Sequence, residues 1–211
     1  MIKAILFDFD GTIADALPVL LKIVNGMSEK YGYRKIKKRE IDELKNHSIR
    51  QALKEDAKMP FYKIPFFMND VRNRLKKEKD KVKIFSGMKH IISELSKNYS
   101  IAIITKNSKS NVNALLKKYD INFVNLIITD NSWYNKHKAI KKALRKFKIQ
   151  NTEAIYIGDE IRDVQACKKI DVKIISITWG FNSKKVLLNE KPNFIADKPE
   201  EILNIINEIK G

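Results

Sequence analysis

The stretch Ile2-Lys-Ala-Ile-Leu-Phe-Asp-Phe-Asp-Gly-Thr-Ile13 sets two carboxylates at the end of an apolar run. Ile5 to Phe7 is β-branched and aromatic without a polar break, the composition of a short buried strand. Alternation then puts Asp8 and Asp10 on one side of the chain as it leaves the sheet, with Phe9 facing away. Gly11 marks a turn where the backbone can approach a ligand closely. Neighbouring carboxylates repel, and a divalent cation between or beside them removes that penalty. The segment is a candidate metal-dependent site; the plainer alternative is a strand that ends in an Asp-Gly turn.

Downstream, the pattern turns helical. Leu17, Leu20, Leu21, Val24, Met27 and Tyr31 recur at helical spacing, and Gly32 fits the end of that helix. Residues 39–58 and 65–80 also read as helical, interrupted near Pro60 and Pro65. No strand signal occurs from Ala14 to Val82, so this is a helical insertion. From Phe85 onward, strands and helices alternate. The strands are expected at Ile101–Ile104, Leu126–Thr129, Ala154–Ile157 and Lys173–Ile177. The helices are expected at Met88–Leu95, Ser110–Tyr119, Lys138–Phe147 and Asp163–Ile170, with a last one from Pro199. Such alternation implies parallel βαβ units, and ligands then bind beyond the carboxyl ends of the strands. The expected fold is α/β, a doubly wound parallel-sheet (Rossmann-like) core with an inserted helical cap domain. Residues 1–13 and 84–211 make the core, and 14–83 the cap.

Composition narrows the chemistry. The 211 residues suffice for one large domain or for one core with a smaller insertion. No apolar run approaches the ~20 residues of a membrane span, and the first residues enter a strand rather than a signal peptide. The single cysteine, Cys167, rules out an internal disulfide and points to a reducing, cytoplasmic setting. With only His47, His90 and His137 beside it, a zinc cluster is not expected, so a metal would be held by oxygen, as magnesium is. The net charge is +17, of which residues 14–83 carry +9. No aromatic-interleaved basic block accompanies it, so nucleic acid is not an expected partner. A positive field suits a small phosphorylated metabolite better.

Three further segments carry reactive residue types at predicted strand ends or helix starts. Thr105, with Lys106 and Asn107 behind it, follows the strand 101–104. Its hydroxyl is either a turn cap or a donor to a phosphoryl oxygen. Asn135-Lys136-His137-Lys138 precedes a helix, and a lysine there can offset carboxylate and phosphoryl charge. Gly158-Asp159 ends a strand, and Asp163 follows four residues later. That spacing lets both carboxylates face one cation, though Asp163 can equally cap its helix.

Asp8-Phe-Asp10-Gly-Thr12 after a hydrophobic strand resembles the first motif of the haloacid dehalogenase superfamily. Thr105, the Lys136 segment and Gly158-Asp159-x-x-x-Asp163 resemble the second, third and fourth motifs, in family order. The resemblance covers the whole chain and implies phosphoryl transfer. Asp8 would be the nucleophile, carrying a phosphoryl-aspartate. Asp10 would be the general acid and base, with its carbonyl on magnesium. Dehalogenases of the superfamily lack the second aspartate, so Asp10 favours a phosphatase. Thr105 and Lys136 complete the catalytic set, with Lys106 and Asn107 as substrate ligands beside Thr105. Asp8, Asp10, Asp159 and Asp163 would hold Mg2+. The family's Lys-Pro-x-Pro is absent here; counting back from the next strand favours Lys136, with Lys138 second. The cap resembles that of phosphoglycolate phosphatases, pyrophosphatases, some nucleotidases and β-phosphoglucomutase. A phosphoglycolate phosphatase-like hydrolase is the leading expectation, and a phosphomutase would use the same core. A non-catalytic polyanion-binding protein is the alternative from another class, resting on the charge alone. Thr178-Trp-Gly-Phe-Asn182 resembles the loop after the fifth strand in phosphoglycolate phosphatase-like members. It either lines the entrance or packs on the core.

Overall fold

β1 (Ala4–Phe7) is buried at every position, because strands flank it on both edges and helices cover both faces. The computed structural model describes residues 1–47, 59–130 and 135–210. After β1 the chain makes a tight turn and a two-residue strand, β2 (Ala14–Asp15), then leaves the sheet. It runs through α1 (Leu17–Asn25), α2 (Ser28–Tyr31), α3 (Ile41–Leu44) and α4 (Ile64–Lys77). It returns through β3 (Lys83–Ile84), which pairs antiparallel with β2. The sequence gives no strand signal at β2, and the reason is length: two residues are too few for a period-2 pattern.

The remaining chain alternates. α5 (Met88–Ser96), β4 (Ser100–Thr105), α6 (Lys109–Lys118), β5 (Leu126–Thr129) and α7 (Lys136–Phe147) follow in order. Then come β6 (Ala154–Gly158), α8 (Ile161–Lys168), β7 (Lys173–Ile177), α9 (Lys184–Asn189), β8 (Phe194–Ala196) and α10 (Pro199–Lys210). Among the described residues six strands form one sheet, all parallel, in the order β5-β4-β1-β6-β7-β8. α9 and β8 escape a sequence reading because six and three residues fall below any periodicity window.

Alternate β1 residues serve the two faces. Ile5 and Phe7 join Ile91, Ile92, Val112, Leu115, Ile202 and Ile206 on one side. Ala4 and Leu6 join Ile140, Ala143, Leu144, Val164 and Cys167 on the other. This two-faced core is the doubly wound architecture expected from the sequence, and burying each Ile or Leu is worth about 1.5–3 kcal/mol.

The helical layer has its own cluster: Val19, Ile23, Met27, Tyr31, Met59, Phe67 and Val71. Tyr31 and Tyr33 meet Phe67 edge-on, with centroids 5.1 and 5.8 Å away. Two expectations change here. The helix read from Leu17 to Tyr31 is two helices, broken at Gly26, and Gly32 ends the second in the left-handed region (φ 76°). The fully buried stripe is Val19-Ile23-Met27-Tyr31, with Leu20 and Val24 only partly covered at its side. Of the helix read over 39–58, residues 48–58 lie outside the described residues. Its described part is a 3-10 turn (Lys38–Glu40) followed by α3. Pro65 begins α4 rather than interrupting it, since proline fits a first turn. No helix among the described residues is long and apolar enough to cross a membrane.

Candidate active site

The site lies where β1, β4 and β6 end. Asp8 continues the ladder, its N–H donating to the Ile157 carbonyl (2.8 Å). One Asp8 oxygen accepts the Phe9 N–H (2.8 Å), and the other accepts from Lys136 Nζ (2.7 Å). The Phe9 carbonyl then accepts from the Ile13 and Ala14 N–H groups, closing a tight turn. Gly11 sits in that turn at φ +89°, and a Cβ there would lie 2.2 Å from Asp159 Oδ2. Only glycine allows this approach. Phe9 is buried in the core, facing away from the aspartates as alternation requires.

Asp159, fully buried at the end of β6, is held on both oxygens. Thr12 Oγ1 donates to Oδ1 (2.7 Å), and the Phe181 N–H donates to Oδ2 (2.8 Å). Gly180 packs against the same carboxylate, where a Cβ would come within 2.3 Å. Trp179 Nε1 donates to the Thr12 carbonyl (3.3 Å), tying the loop after β7 to the turn after β1. Of its two sequence readings, Asp163 takes up the cap and adds a bond to Lys136. Its Oδ2 accepts from the Glu160 N–H (3.1 Å), capping α8, while Oδ1 bonds Lys136 Nζ.

Lys136 is the first residue of α7, which starts two residues earlier than the sequence pattern suggests. It bridges Asp8 and Asp163 and lies 5.3 Å from the centroid of the Tyr156 ring. Lys138 is solvent-exposed on the same helix. Thr105 is buried; its Oγ1 accepts the Asn107 N–H (2.9 Å), which leaves its own O–H to donate. Asn107 Nδ2 donates to Asp10 Oδ1 (3.3 Å), so this amide serves Asp10 rather than open space. A narrow cavity of about 30 Å³ lies among Asp8, Asp10, Thr105, Lys106, Lys136 and Arg162. That admits one small group, not a whole substrate. Arg162 is ion-paired with Glu160 beside it. A larger depression of about 590 Å³ lies elsewhere, around Phe85, His90, Tyr119 and Phe123, and includes none of these carboxylates.

Burial dominates the electrostatics. Burial, then the adjacent Asp8 charge, pushes the Asp10 carboxyl up to about 7, against the bond from Asn107. Burial, with Glu160, Asp8 and Asp163 nearby, holds Asp159 well above the usual carboxylate range. Burial also raises Asp163, with Lys136 opposing. Burial alone would lower Lys136, but Asp163 and Asp8 outweigh it and hold the ammonium above its ordinary value. Burial, then the Arg162 cation, pushes Lys106 down to about 8.

Asp8, Asp159 and Asp163 each offer a carboxylate oxygen, all within 4.8 Å of one another. An oxygen-only set, buried and rich in negative charge, fits a hard divalent cation such as magnesium. The Asp10 carboxylate stands outside that trio. The sequence reading missed Thr12, Phe181 and Gly180 as the cradle of Asp159, and Arg162 and Asp130 as further cavity walls. The signal available was a second glycine, in the Trp-Gly-Phe-Asn loop, opposite the first.

A doubly wound sheet with buried carboxylates gathered at its strand ends, and a lysine bridging Asp8 to Asp163 at the start of α8, defines an α/β enzyme class. Residues 5–177 match the family described as haloacid dehalogenase-like hydrolase, and the chain belongs to that family. It is 25% identical over 209 residues to a phosphoglycolate phosphatase of Synechococcus elongatus, covering 98% of each chain. It is 22% identical over 216 residues to a pyrophosphatase of Bacillus mycoides, covering 100% of this chain and 99% of the relative. Among solved structures, a haloacid dehalogenase-like family hydrolase of Streptococcus pneumoniae superposes with a TM-score of 0.84. That protein is 25% identical, with 97% and 98% of the two chains covered.

Proposed function

We propose that this hydrolase is a magnesium-dependent phosphatase for a small phosphomonoester, most like phosphoglycolate phosphatase. One observation carries the reading: Asp8, held by the Lys136 ammonium, shares one small cavity with the Asp10 carboxyl and the Thr105 hydroxyl. Asp8 attacks phosphorus, forming the Asp8 O–P bond as the ester P–O bond breaks. Asp10 gives its proton to the leaving alkoxide. It then takes a proton from the water that attacks phosphorus and frees Asp8. Thr105 donates its hydroxyl proton to a phosphoryl oxygen, Lys106 faces the same cavity, and Lys136 offsets charge at Asp8. Asn107 orients Asp10. Asp8, Asp159, Asp163 and the Asp10 carbonyl would hold magnesium, which when bound neutralises charge on the transferring group. Residues 14–83 act as the cap that excludes water and selects the leaving group, over a core of 1–13 and 84–211.

A pyrophosphatase is the second reading, favoured by three cations, Lys106, Lys136 and Arg162, around one small cavity. Phosphate release from p-nitrophenyl phosphate, phosphoglycolate and pyrophosphate, with magnesium and with chelator, separates them. The expected result is chelator-sensitive release, greatest with phosphoglycolate. Preference for pyrophosphate selects the second reading, and release indifferent to chelator rejects both.

A further inference from the structure

The loop after β7 does more than cradle Asp159. Asn182 is only 4% exposed, yet both ends of its amide are engaged. Its Oδ1 accepts the Ile161 N–H at the first residue of α8 (2.9 Å). Its Nδ2 donates to the carbonyls of Lys45 (3.1 Å) and His47 (3.3 Å), just beyond α3 in the helical layer. Its own N–H donates to the Asp159 carbonyl (3.3 Å). Ser183 reinforces the outward half. Its N–H donates to the Lys45 carbonyl (2.9 Å), and its hydroxyl bonds Asn46 Oδ1 (2.5 Å).

From this geometry we propose that Asn182 is a positioning residue. It couples residues 45–47 of the helical layer to the loop that holds Asp159 and opens α8. The coupling rests on the phosphatase reading only for its consequence in turnover; the link itself is physical. Asparagine suits the position because one planar group offers an acceptor inward and two donors outward. An apolar residue would strand the Ile161 N–H on one side and give up both amide bonds to the Lys45 and His47 carbonyls on the other. The same loop supplies the Phe181 N–H to Asp159, so displacement of residues 45–47 and displacement of the metal-end carboxylate share one lever. Closure of the helical layer and assembly of the site are then one event rather than two.

Two substitutions separate the halves. Asn182→Asp keeps the acceptor for Ile161 and turns an oxygen toward the Lys45 and His47 carbonyls, so it removes only the outward bonds of Asn182 and leaves those of Ser183. Asn182→Ala breaks both. The full-length protein is followed by amide hydrogen exchange and by p-nitrophenyl phosphate kinetics across a magnesium titration. In Asn182→Asp, exchange over residues 41–47 and at the Ser183 amide should rise about tenfold, as loss of roughly one to two hydrogen bonds implies. Exchange in β6 should not change. kcat/KM should fall about tenfold, with the half-saturating magnesium concentration unmoved. In Asn182→Ala the half-saturating magnesium should also rise. Unchanged exchange over 41–47 in Asn182→Asp overturns the link. Raised exchange with unchanged kcat/KM overturns the coupling. If the wild type releases no phosphate from any ester, the phosphatase reading fails, and the exchange result alone decides the link. If Asn182→Ala does not fold, Asn182→Asp decides both.

Discussion

Asp159 at the end of β6 and Asp70 on α4 are both hydrogen-bonded carboxylates, yet their surroundings move them in opposite directions. Asp159 is enclosed, and burial with three neighbouring acids raises it. Asp70 is on the surface, where Lys30 and then Tyr31 donate to it and lower it. Glu40 in the same layer is held down at about 2 by Arg34 first and the Lys37 N–H next. The strand ends therefore gather acids whose charge a cation would relieve, while Asp70 and Glu40 in the helical layer are each paired with a neighbouring cation. A binding site and a structural layer are told apart here by the sign of those shifts.

The largest effect is expected where the site is tightest. Gly11→Ala puts a Cβ 2.2 Å from Asp159 Oδ2 at a positive φ, and should cost more than about 4 kcal/mol with loss of turnover. Urea denaturation and phosphate release check this. Next is Lys136→Ala, which leaves two buried carboxylates without their cation and should cost about 4 kcal/mol. Lys138→Ala, on the exposed face, should stay within about 0.5 kcal/mol. Equal behaviour of the two lysines would break the distinction between Lys136 and its neighbour. Phe67→Ala empties the centre of the helical layer and should cost about 3 kcal/mol. Its amide exchange should rise in α1 and α4 and leave β1 and β6 unaltered; a uniform rise would erase the contrast between the regions.

The smallest effect is a slope. Asp10, Asp159 and Asp163 have raised pKa values in the fold, so their stabilising contribution is present below the unfolded carboxylate range. For Asp10 it is lost as pH rises to about 7. Asp70 and Glu40 act the other way, contributing above their unfolded values and losing that contribution as pH falls. Chelated protein should therefore lose stability from about pH 4 to 7, and added magnesium should flatten that loss. Thermal melts across that range, with and without magnesium, read it directly.

Much of the fold was legible because burial writes periodicity. β1, β4, β5, β6 and β7 are apolar runs, and α5 shows Met88, Ile91, Ile92 and Leu95 at helical spacing. The elements missed are β2, β3, α9 and β8, each too short to leave a period. The helix boundary at Gly26 was missed because the apolar residues on either side keep their spacing across it. At the site, Asp8, Asp10, Thr105 and Asp159 were legible as reactive types at strand ends, and Lys136 and Asp163 at helix starts. The Asp159 cradle was not, since Thr12 and Phe181 are brought together only by tertiary structure, and Phe181 contributes a backbone N–H that no side chain announces. Asn107 shows the converse. Its type suggests a ligand for substrate, and its neighbour in space is Asp10.

In the mechanism we propose, Asp8 becomes phosphorylated during turnover. Acid quenching of the enzyme with p-nitrophenyl phosphate and magnesium, followed by peptide mass spectrometry, tests it most directly. The expected result is a phosphoryl group on the peptide containing Asp8, absent together with phosphate release in Asp8→Asn. Turnover by Asp8→Asn at the wild-type rate would contradict it.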